Sequence, residues 1–547
     1  MGRDRQGTLV SYRPDIKVLD CTLRDGAYLI DKKFGLENIS GITRGLIDSD
    51  IDFVEVGFFQ DDGFGEGKTV YKNSKEASKY LPAKKKKSQY TVLADCSRYS
   101  IENLDDRQEG IIDCIRECFF KNEISQAIEN CKVIREKGYK VFVQPVDILG
   151  YSDYELLDLI EKVNAIEPFC FSIVDTFGSM YQEDLQRIFE LINHNLVKTC
   201  KIGFHSHNNM QLSNALSQEF IRMSLGKRDI VIDGTLSGMG RGAGNTPTEL
   251  IVQYINTKYM GKYNMDSILD IIDIYMDNIR TKCSWGYSTD YFIAGCYGAH
   301  VNNISYLNKK HSISSKNMRY ILNKIDDKAR KRYDYELLDK IFMEMIDEDI
   351  DDFVSLKKLK DLLKGKRILI IVPGQSILQN KNKIKEYVKN NDVVVISLNF
   401  NPDFITSDYV FVSNQGRVKN IKNRSGERRI YSSNIDKEYI EEADYIVSFK
   451  KLVKCGWKLM DNSALMLLRL LDEINCKEII FAGFDGYSSL HTNYIDSDME
   501  IESASMNCNE RNTEIAAMLR DYMETRKNKK TGIRFITKSR FERCLLN

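Results

Sequence analysis

Lys201-Ile202-Gly203-Phe204-His205-Ser206-His207-Asn208-Asn209 is an apolar run that turns polar at its C-terminal end. A near-continuous apolar run, without strict alternation, marks a strand covered on both faces, as in a parallel sheet flanked by helices. In a strand, residues i and i+2 share a face, so the imidazoles of His205 and His207 project from the same side. A helical pattern follows over residues 212–224, then another apolar run over 231–235. Outward from this pair the same alternation repeats. Strands are expected at 16–23, 52–59, 89–95, 110–117, 140–147, 169–175, 201–207 and 231–235, with helices at 36–46, 124–136, 153–163, 183–192, 212–224 and 247–256. Eight β/α units with polar motifs at their strand ends match a closed TIM (β/α)8 barrel better than an open doubly wound sheet.

A chain of 547 residues exceeds what one hydrophobic core usually serves. The barrel is assigned to residues 1–260. Residues 261–363 read as a helical extension and linker, with helical patterns at 265–275, 316–324 and 335–345, an acidic stretch at 347–352 and a basic one at 357–366. Residues 364–547 read as a Rossmann-like α/β domain. Its strands are expected at 367–372, 393–398, 409–412, 445–449 and 478–481, with an amphipathic helix at 462–474.

Composition excludes several function classes. Lys+Arg and Asp+Glu both total 79, so no global positive field points to nucleic acid. The run Lys84–Lys87 reads as a solvated loop, with a phosphate-binding patch as the minority reading. The start Met1-Gly2-Arg3-Asp4-Arg5-Gln6 is polar and leads into no apolar segment, and no apolar run is long enough to span a bilayer. The 13 cysteines form no CxxC pair, so reduced thiols and a cytoplasmic location are expected. A homo-oligomer is expected.

Three polar motifs carry chemistry. Two imidazoles on one face form a partial ligand set for a divalent metal, although a lone HxH on a strand is weak evidence. Asp20-Cys21-Thr22-Leu23-Arg24-Asp25-Gly26 ends the first strand and puts Arg24 and Asp25 at the same rim; alone, they could be a surface ion pair. Buried against an apolar strand, such charges cost several kcal/mol unless paired or metal-bound. Asp25 with His205 and His207 makes a two-His, one-carboxylate set with open positions for substrate oxygens. Gly238-Met239-Gly240-Arg241-Gly242-Ala243-Gly244-Asn245-Thr246-Pro247 follows the eighth strand. It reads as a close-approach loop, a phosphate cradle or simply a flexible loop.

Leu23-Arg24-Asp25-Gly26, His205-Ser206-His207-Asn208 and Gly240-Arg241-Gly242-Ala243-Gly244-Asn245 together resemble the DRE-TIM metallolyase superfamily over residues 14–260. That group includes 3-hydroxy-3-methylglutaryl-CoA lyase, isopropylmalate and homocitrate synthases, and 4-hydroxy-2-oxovalerate aldolase. The resemblance implies Asp25, His205 and His207 as ligands of a divalent metal, with Asn245 as a further ligand and Arg24 stabilising an enolate oxygen. Manganese is the expected metal, with magnesium, cobalt or zinc as alternatives. Glu55 resembles the second-strand acid beside the site. Thr176, in Asp175-Thr176-Phe177-Gly178, resembles a hydroxyl residue that holds a substrate carboxylate. Where the hydroxy-oxovalerate aldolases have a histidine three residues after the metal aspartate, this chain has Tyr28, a candidate acid/base or substrate-orienting hydroxyl. His300, in the extension, is either a packed helix residue or a group that reaches the site.

The resulting expectation is a metal-dependent aldolase that makes or breaks a carbon–carbon bond next to a 2-keto acid, with an aldehyde as the second substrate. An acyl-CoA-dependent condensing enzyme and a degenerate barrel acting as a binding module are the alternatives. In the C-terminal part, Pro373-Gly374-Gln375-Ser376 reads as a phosphate contact. With Ser397-Leu398-Asn399-Phe400 and Gly483-Phe484-Asp485-Gly486-Tyr487, followed by His491, it is faintly similar to the family of motility accessory factors, 6-hydroxymethylpterin diphosphokinase and bacterial sialyltransferases. That similarity implies a nucleotide or nucleotide-sugar ligand and a place in glycan or secondary-metabolite biosynthesis.

Overall fold

The computed structural model describes residues 2–3, 9–10, 15–82, 87–108, 111–311, 313, 315–346, 350–454, 456–457, 459, 461–489, 492–496, 499 and 508–545. Lys84 to Lys86 of the basic run, most of the N-terminal hexapeptide, Gly110, residues 347–349 of the acidic stretch and His491 lie outside the described residues. The chain divides into two compact units, residues 1–304 with 326–333, and residues 305–325 with 334–547.

The first unit is a closed, all-parallel barrel. Its strands are β1 (Ile16–Asp20), β2 (Phe53–Phe59), β3 (Gln89–Asp95), β4 (Ile112–Phe119), β5 (Lys140–Pro145), β6 (Cys170–Asp175), β7 (Lys201–Ser206) and β8 (Ile230–Gly234). Each pairs with its sequence neighbour, β8 pairs with β1, and β1 pairs with β2, which closes the ring. Helices α1 (Leu36–Asp48), α2 (Ile124–Glu136), α3 (Asp153–Asn164), α4 (Gln182–Asn195), α5 (Ser213–Ser224) and α6 (Thr248–Tyr259) connect strands or follow β8. The connection after β2 carries a two-residue strand, Val70–Tyr71, paired with β2, and one helical turn, Ser74–Ala77, and that after β3 carries the short turn Ile101–Asn103; the sequence shows no apolar periodicity in either. The first strand ends at Asp20, earlier than expected. The Asp20 carboxylate accepts the Thr22 N–H at 3.0 Å and starts a one-turn helix, Thr22–Asp25, that carries the site residues.

Side chains fill the barrel in layers. Leu19, Phe53, Cys114, Phe142, Cys170 and Val231 form an apolar floor. Two residues onward along their strands stand Glu55, Arg116, Gln144, Ser172 and Asp233, with Cys21 just past the end of β1, all buried and all capable of polar contacts. The period-2 geometry of strands therefore converts an apolar layer into a polar one within a single step, directly beneath the C-terminal mouth.

Glu117, next to Arg116, faces the other way, toward α2, and accepts a hydrogen bond from Asn130 Nδ2 at 2.7 Å. Burial, set against the hydrogen bonds from Asn130 and Cys96, pushes its carboxyl up to about 8. The folded state therefore binds a proton that the unfolded chain releases from about pH 4.5 upward, so this group lowers stability as pH rises from there to about 8. Glu117→Gln keeps the acceptor for Asn130 and removes the charge. It is expected to be more stable than wild type by a few kcal/mol at pH 8.5, and equal to it at pH 4.5, in urea denaturation. Equal stability at both pH values refutes this reading.

The second unit holds a seven-stranded parallel sheet. Its strands are β9 (Arg367–Ile371), β10 (Val393–Leu398), β11 (Tyr409–Val412), β12 (Arg428–Ser432), β13 (Tyr445–Val447), β14 (Glu478–Ala482) and β15 (Gly532–Phe535), in the spatial order β13-β12-β11-β10-β9-β14-β15. Successive strands run outward from β9 in one direction as far as β13. The chain then returns to β14 on the other side of β9, so the order reverses between β9 and β14. Helix α7 (Ser463–Ile474) starts at Asn462, whose side chain caps the Ala464 N–H, and presents a buried leucine-rich face.

The expected phosphate contact at Pro373–Ser376 is overturned. The Ser376 N–H donates to Asp485 Oδ2 at 2.6 Å and its hydroxyl to Oδ1 at 2.5 Å, so both donors of Ser376 are already spent on a carboxylate. The helix that follows, Ser376–Gln379, is a single turn. An added anion would face Asp485 at close range.

Candidate metal and active site

The site begins with the turn after β1. Asp20 Oδ2 accepts the Thr248 hydroxyl at 2.6 Å, and Thr22 Oγ1 accepts the Leu236 N–H at 2.8 Å. The turn is thereby fixed to the segment after β8, and Arg24 and Asp25 are delivered to the barrel axis with exposures of 7% and 1%.

Asp25 meets both histidines. Its Oδ2 lies 3.2 Å from His205 Nε2 and 3.4 Å from His207 Nε2. The other ring nitrogens are committed: His205 Nδ1 lies 2.9 Å from Asp233 Oδ2, and His207 Nδ1 lies 2.9 Å from the Asp175 carbonyl. A carbonyl only accepts, so Nδ1 of His207 carries the hydrogen and its Nε2 lone pair faces a carboxylate oxygen. Two lone-pair-bearing atoms do not rest at that separation without a proton or a metal cation between them. Metal-binding histidines characteristically hand their second nitrogen to a carboxylate or a carbonyl, as both do here.

Two further observations fit a cation. Asp25 Oδ2 and Asn245 Oδ1 are buried without an aligned hydrogen-bond donor. Cys21, Asp25 and His205 each offer a ligand atom, all within 4.8 Å of one another. Burial alone would raise the Asp25 carboxyl, but Arg24, His205 and His207 outweigh it and hold the group well below the usual carboxylate range. Asp25 is therefore an anion when it faces the imidazoles.

Beneath Asp25 lies a charge network largely invisible in the sequence motifs. Glu55 Oε2 accepts Arg24 Nε at 2.8 Å and Arg116 Nη1 at 2.9 Å. Arg116 also donates to Asp233, which holds His205. Two guanidiniums face the carboxylates of Asp25, Glu55 and Asp233, leaving one excess negative charge in a buried site, a deficit that a divalent cation reverses. Glu55 thus touches Arg24 and orients it. Arg116 and Asp233 were missed by motif reading, although each is a charged residue two positions after a floor residue on its strand. Cys21, whose Sγ hydrogen bonds to the Gly234 carbonyl at 3.3 Å, was missed as well.

The glycine-rich loop closes over this network. The Asn208 N–H donates to the Gly244 carbonyl at 2.7 Å, and His207 and Asn245 form an antiparallel bridge. Gly244 has φ +84°, and a Cβ there would stand 1.9 Å from the Gly238 carbonyl, so only glycine permits the fold-back that positions Asn245. Asn209, also missed, ties the loop to β6 by accepting the Ala243 N–H and donating to the Phe177 carbonyl.

The remaining expected residues take distinct places. Thr176 Oγ1 accepts the Asp147 N–H at 2.7 Å, leaving its hydroxyl hydrogen to donate. Burial raises the Tyr28 phenol above its ordinary range against the opposing pull of Arg241 and Arg24, so Tyr28 keeps its proton at neutral pH. The Arg241 guanidinium sits 3.5 Å above its ring. His300 is not a helix residue. It lies between Thr289–Cys296 and Val301–His311, with its Nδ1 accepting the Asn302 N–H and its ring edge-on to Tyr333. Burial, then Arg241 and His207, push its imidazole down to about 4, so it is neutral at pH 7.

Residues 15–275 match the HMGL-like family model; the match ends before the second unit begins. Oxaloacetate decarboxylase from Mycobacterium tuberculosis is 24% identical over 269 residues, covering 46% of this chain and 74% of that protein. 4-Hydroxy-2-oxovalerate aldolase from Geobacillus genomosp. 3 is 27% identical over 247 residues, covering 44% of this chain and 70% of that protein. Among solved structures, the HMG-CoA lyase from Brucella melitensis aligns with a TM-score of 0.41 at 13% identity, over 49% of this chain and 99% of that one.

Proposed function

We propose that the barrel is a divalent-metal-dependent carbon–carbon lyase or aldolase acting next to the carbonyl of a 2-keto acid, with pyruvate as the enolising partner. The observation that carries it is the convergence of two imidazole Nε2 atoms on Asp25 Oδ2 while both Nδ1 atoms are held by acceptors. Asp25, His205 and His207 would hold the metal, manganese in the first instance, with the orphaned Asn245 Oδ1 as a further oxygen donor. Bound there, a divalent cation supplies Lewis-acid stabilisation of negative charge on the substrate's oxygens.

The chain's own residues supply the rest. Arg24, oriented by Glu55, presents a fixed positive charge where an enolate oxygen grows, and it needs no reorganisation during the reaction. Thr176 offers an O–H to the substrate carboxylate. Tyr28, protonated and covered by Arg241, donates a hydrogen bond or a proton and does not serve as a resting base. His300, neutral at pH 7 with its Nδ1 already accepting the Asn302 N–H, presents its Nε2–H as a donor. The relatives named as 4-hydroxy-2-oxovalerate aldolases and as an oxaloacetate decarboxylase support a 2-oxo acid substrate.

Wild-type protein loaded with manganese is expected to exchange the methyl hydrogens of pyruvate with deuterium from solvent, observed by proton NMR, and to stop when a chelator is added. Absence of exchange with manganese, magnesium, cobalt and zinc alike would falsify the assignment.

The second unit supports a nucleotide-class ligand, free or sugar-linked. A cavity of about 320 Å³ opens at the C-terminal ends of β9 and β14, where the strand order reverses, and such crevices are the usual ligand position in open parallel sheets. Asn399, Ser413 and Asn434 line it with hydrogen-bonding groups, and Arg417 and Arg511 add positive charge. Thermal-shift titration with nucleoside mono- and diphosphates is expected to raise the melting temperature; no shift at millimolar concentration removes this reading.

A further inference from the structure

The barrel mouth carries positive charge that the proposed chemistry does not use. Arg241 stands at the tip of the glycine loop, in a turn closed by the Gly244 N–H donating to the Arg241 carbonyl at 3.0 Å. Its guanidinium covers the Tyr28 ring at 3.5 Å, Tyr28 meets Phe58 edge-on at 5.3 Å, and Lys32 Nζ lies 4.7 Å over Phe58. Cation, ring, ring and cation thus form one continuous wall. Neither Arg241 nor Lys32 has an ion-pair partner among the described residues; Lys32 donates instead to the neutral Gln60 Oε1 at 2.7 Å. Burial, together with Arg98 and Arg241, outweighs the opposing pull of Asp62 and Asp31 and holds the Lys32 ammonium below its ordinary range.

Stacking occupies only the face of a guanidinium. Its N–H donors lie in the plane and remain available, in the fork geometry that matches a carboxylate or a phosphate. A charged side chain held half-buried by an aromatic ring, with no carboxylate opposite, is organised for an anion that arrives from solution.

We propose that Arg241 and Lys32 form an anion subsite at the barrel mouth, so that the aldehyde partner carries a carboxylate or a phosphate away from its carbonyl. This rests on the aldolase reading above and adds the class of the second substrate. Tyr28, between Arg241 and the Asp25 centre, links the subsite to the reacting end.

The test compares propanal, succinic semialdehyde and glycolaldehyde phosphate as partners for pyruvate in manganese-loaded, full-length protein. Wild type is expected to favour at least one anionic aldehyde over propanal by tenfold or more in kcat/KM, as charge-assisted hydrogen bonds imply. The better of the two identifies the anion. Arg241→Met and Lys32→Met are each expected to raise KM for that aldehyde about tenfold while KM for propanal stays put, and Arg241→Lys is expected to restore part of the loss. Lys32→Met sits on a half-exposed side chain and guards against a folding defect at Arg241. If wild type exchanges pyruvate's methyl hydrogens yet uses propanal as well as both anions, the subsite is overturned and the metal chemistry stands. Persistence of an anion preference in both Met variants also overturns it. Failure of the exchange itself overturns the aldolase reading and the subsite with it.

Discussion

Asp25→Ala and His205→Ala are each expected to lose stoichiometric metal and to slow pyruvate methyl exchange by roughly a thousandfold, with the barrel still folded. Asp25 Oδ2 lies within ion-pair distance of both imidazoles, so its removal deletes the anionic ligand and the element that aligns the two Nε2 atoms. His205→Ala acts twice: it removes one ligand nitrogen and releases Asp233 from its histidine, leaving Arg116 as that carboxylate's buried partner. Asp25→Asn separates charge from shape, because an amide keeps one oxygen but no net charge; it is expected to bind metal more weakly without being silent. Elemental analysis of dialysed protein, circular dichroism and the exchange rate together decide the matter. Full occupancy and full exchange in either alanine variant would sink the proposed centre.

Arg116→Met should destabilise the folded protein by about 3–5 kcal/mol, the usual cost of removing one partner from a buried ion cluster. Arg116 is 0% exposed and lies between Glu55 and Asp233. Methionine fills much of the volume but leaves Glu55 with Arg24 alone and Asp233 with His205 alone, one cationic partner short each. Arg116 helps hold the Asp233 carboxyl below its ordinary range against burial, so its loss lets that group rise, and the variant's deficit should be largest at neutral pH and shrink as pH falls and Asp233 takes up a proton. Urea titrations at pH 7 and pH 5 measure both parts. A difference below about 1 kcal/mol at pH 7 would show that the network carries little of the stability. Because Glu55 also holds Arg24, the surviving folded fraction should turn over slowly even when metal is present.

The barrel could be read from the chain because parallel strands under helices leave a strong local trace. Val141 to Val143 and Ile230 to Ile232 are apolar on both faces, and α3 opens with the capping box Ser152–Glu155. His205 and His207 could be placed together from sequence, since i and i+2 on a strand share a side whatever the rest of the protein does. The end of β1 could not. Whether residues 21–25 continue a strand or start a helix depends on Asp20 finding Thr22 and Thr248, and Thr248 is 228 residues away. Short capping interactions that compete with the ladder leave little periodicity to detect.

In the second unit five of the seven parallel strands were similarly visible, but β12, β15 and the meaning of Pro373–Ser376 were not. A glycine turn before a helix presents free N–H groups only if nothing else has claimed them, and Asp485 has. Tyr28 shows the same limit on electrostatics. Its place three residues after Asp25 left open whether nearby cations lower the phenol's pKa; burial outweighs them, because a desolvated phenolate costs more than Arg241 and Arg24 return.

By itself, then, the sequence determined the alternation of strands and helices, the shared face of the two histidines and the placement of Arg24, Asp25 and the glycine loop at one end of the barrel. These follow from periodicities of two and of 3.6, which are properties of neighbouring residues. Only the tertiary structure decided that Arg116 and Asp233 complete the buried charge network, that Arg241 lies on Tyr28, and that Asp485 occupies the turn after β9. Each of those depends on a contact across at least 109 residues of chain. Such pairings are selected by which charges burial forces together, and local sequence carries no record of the partner.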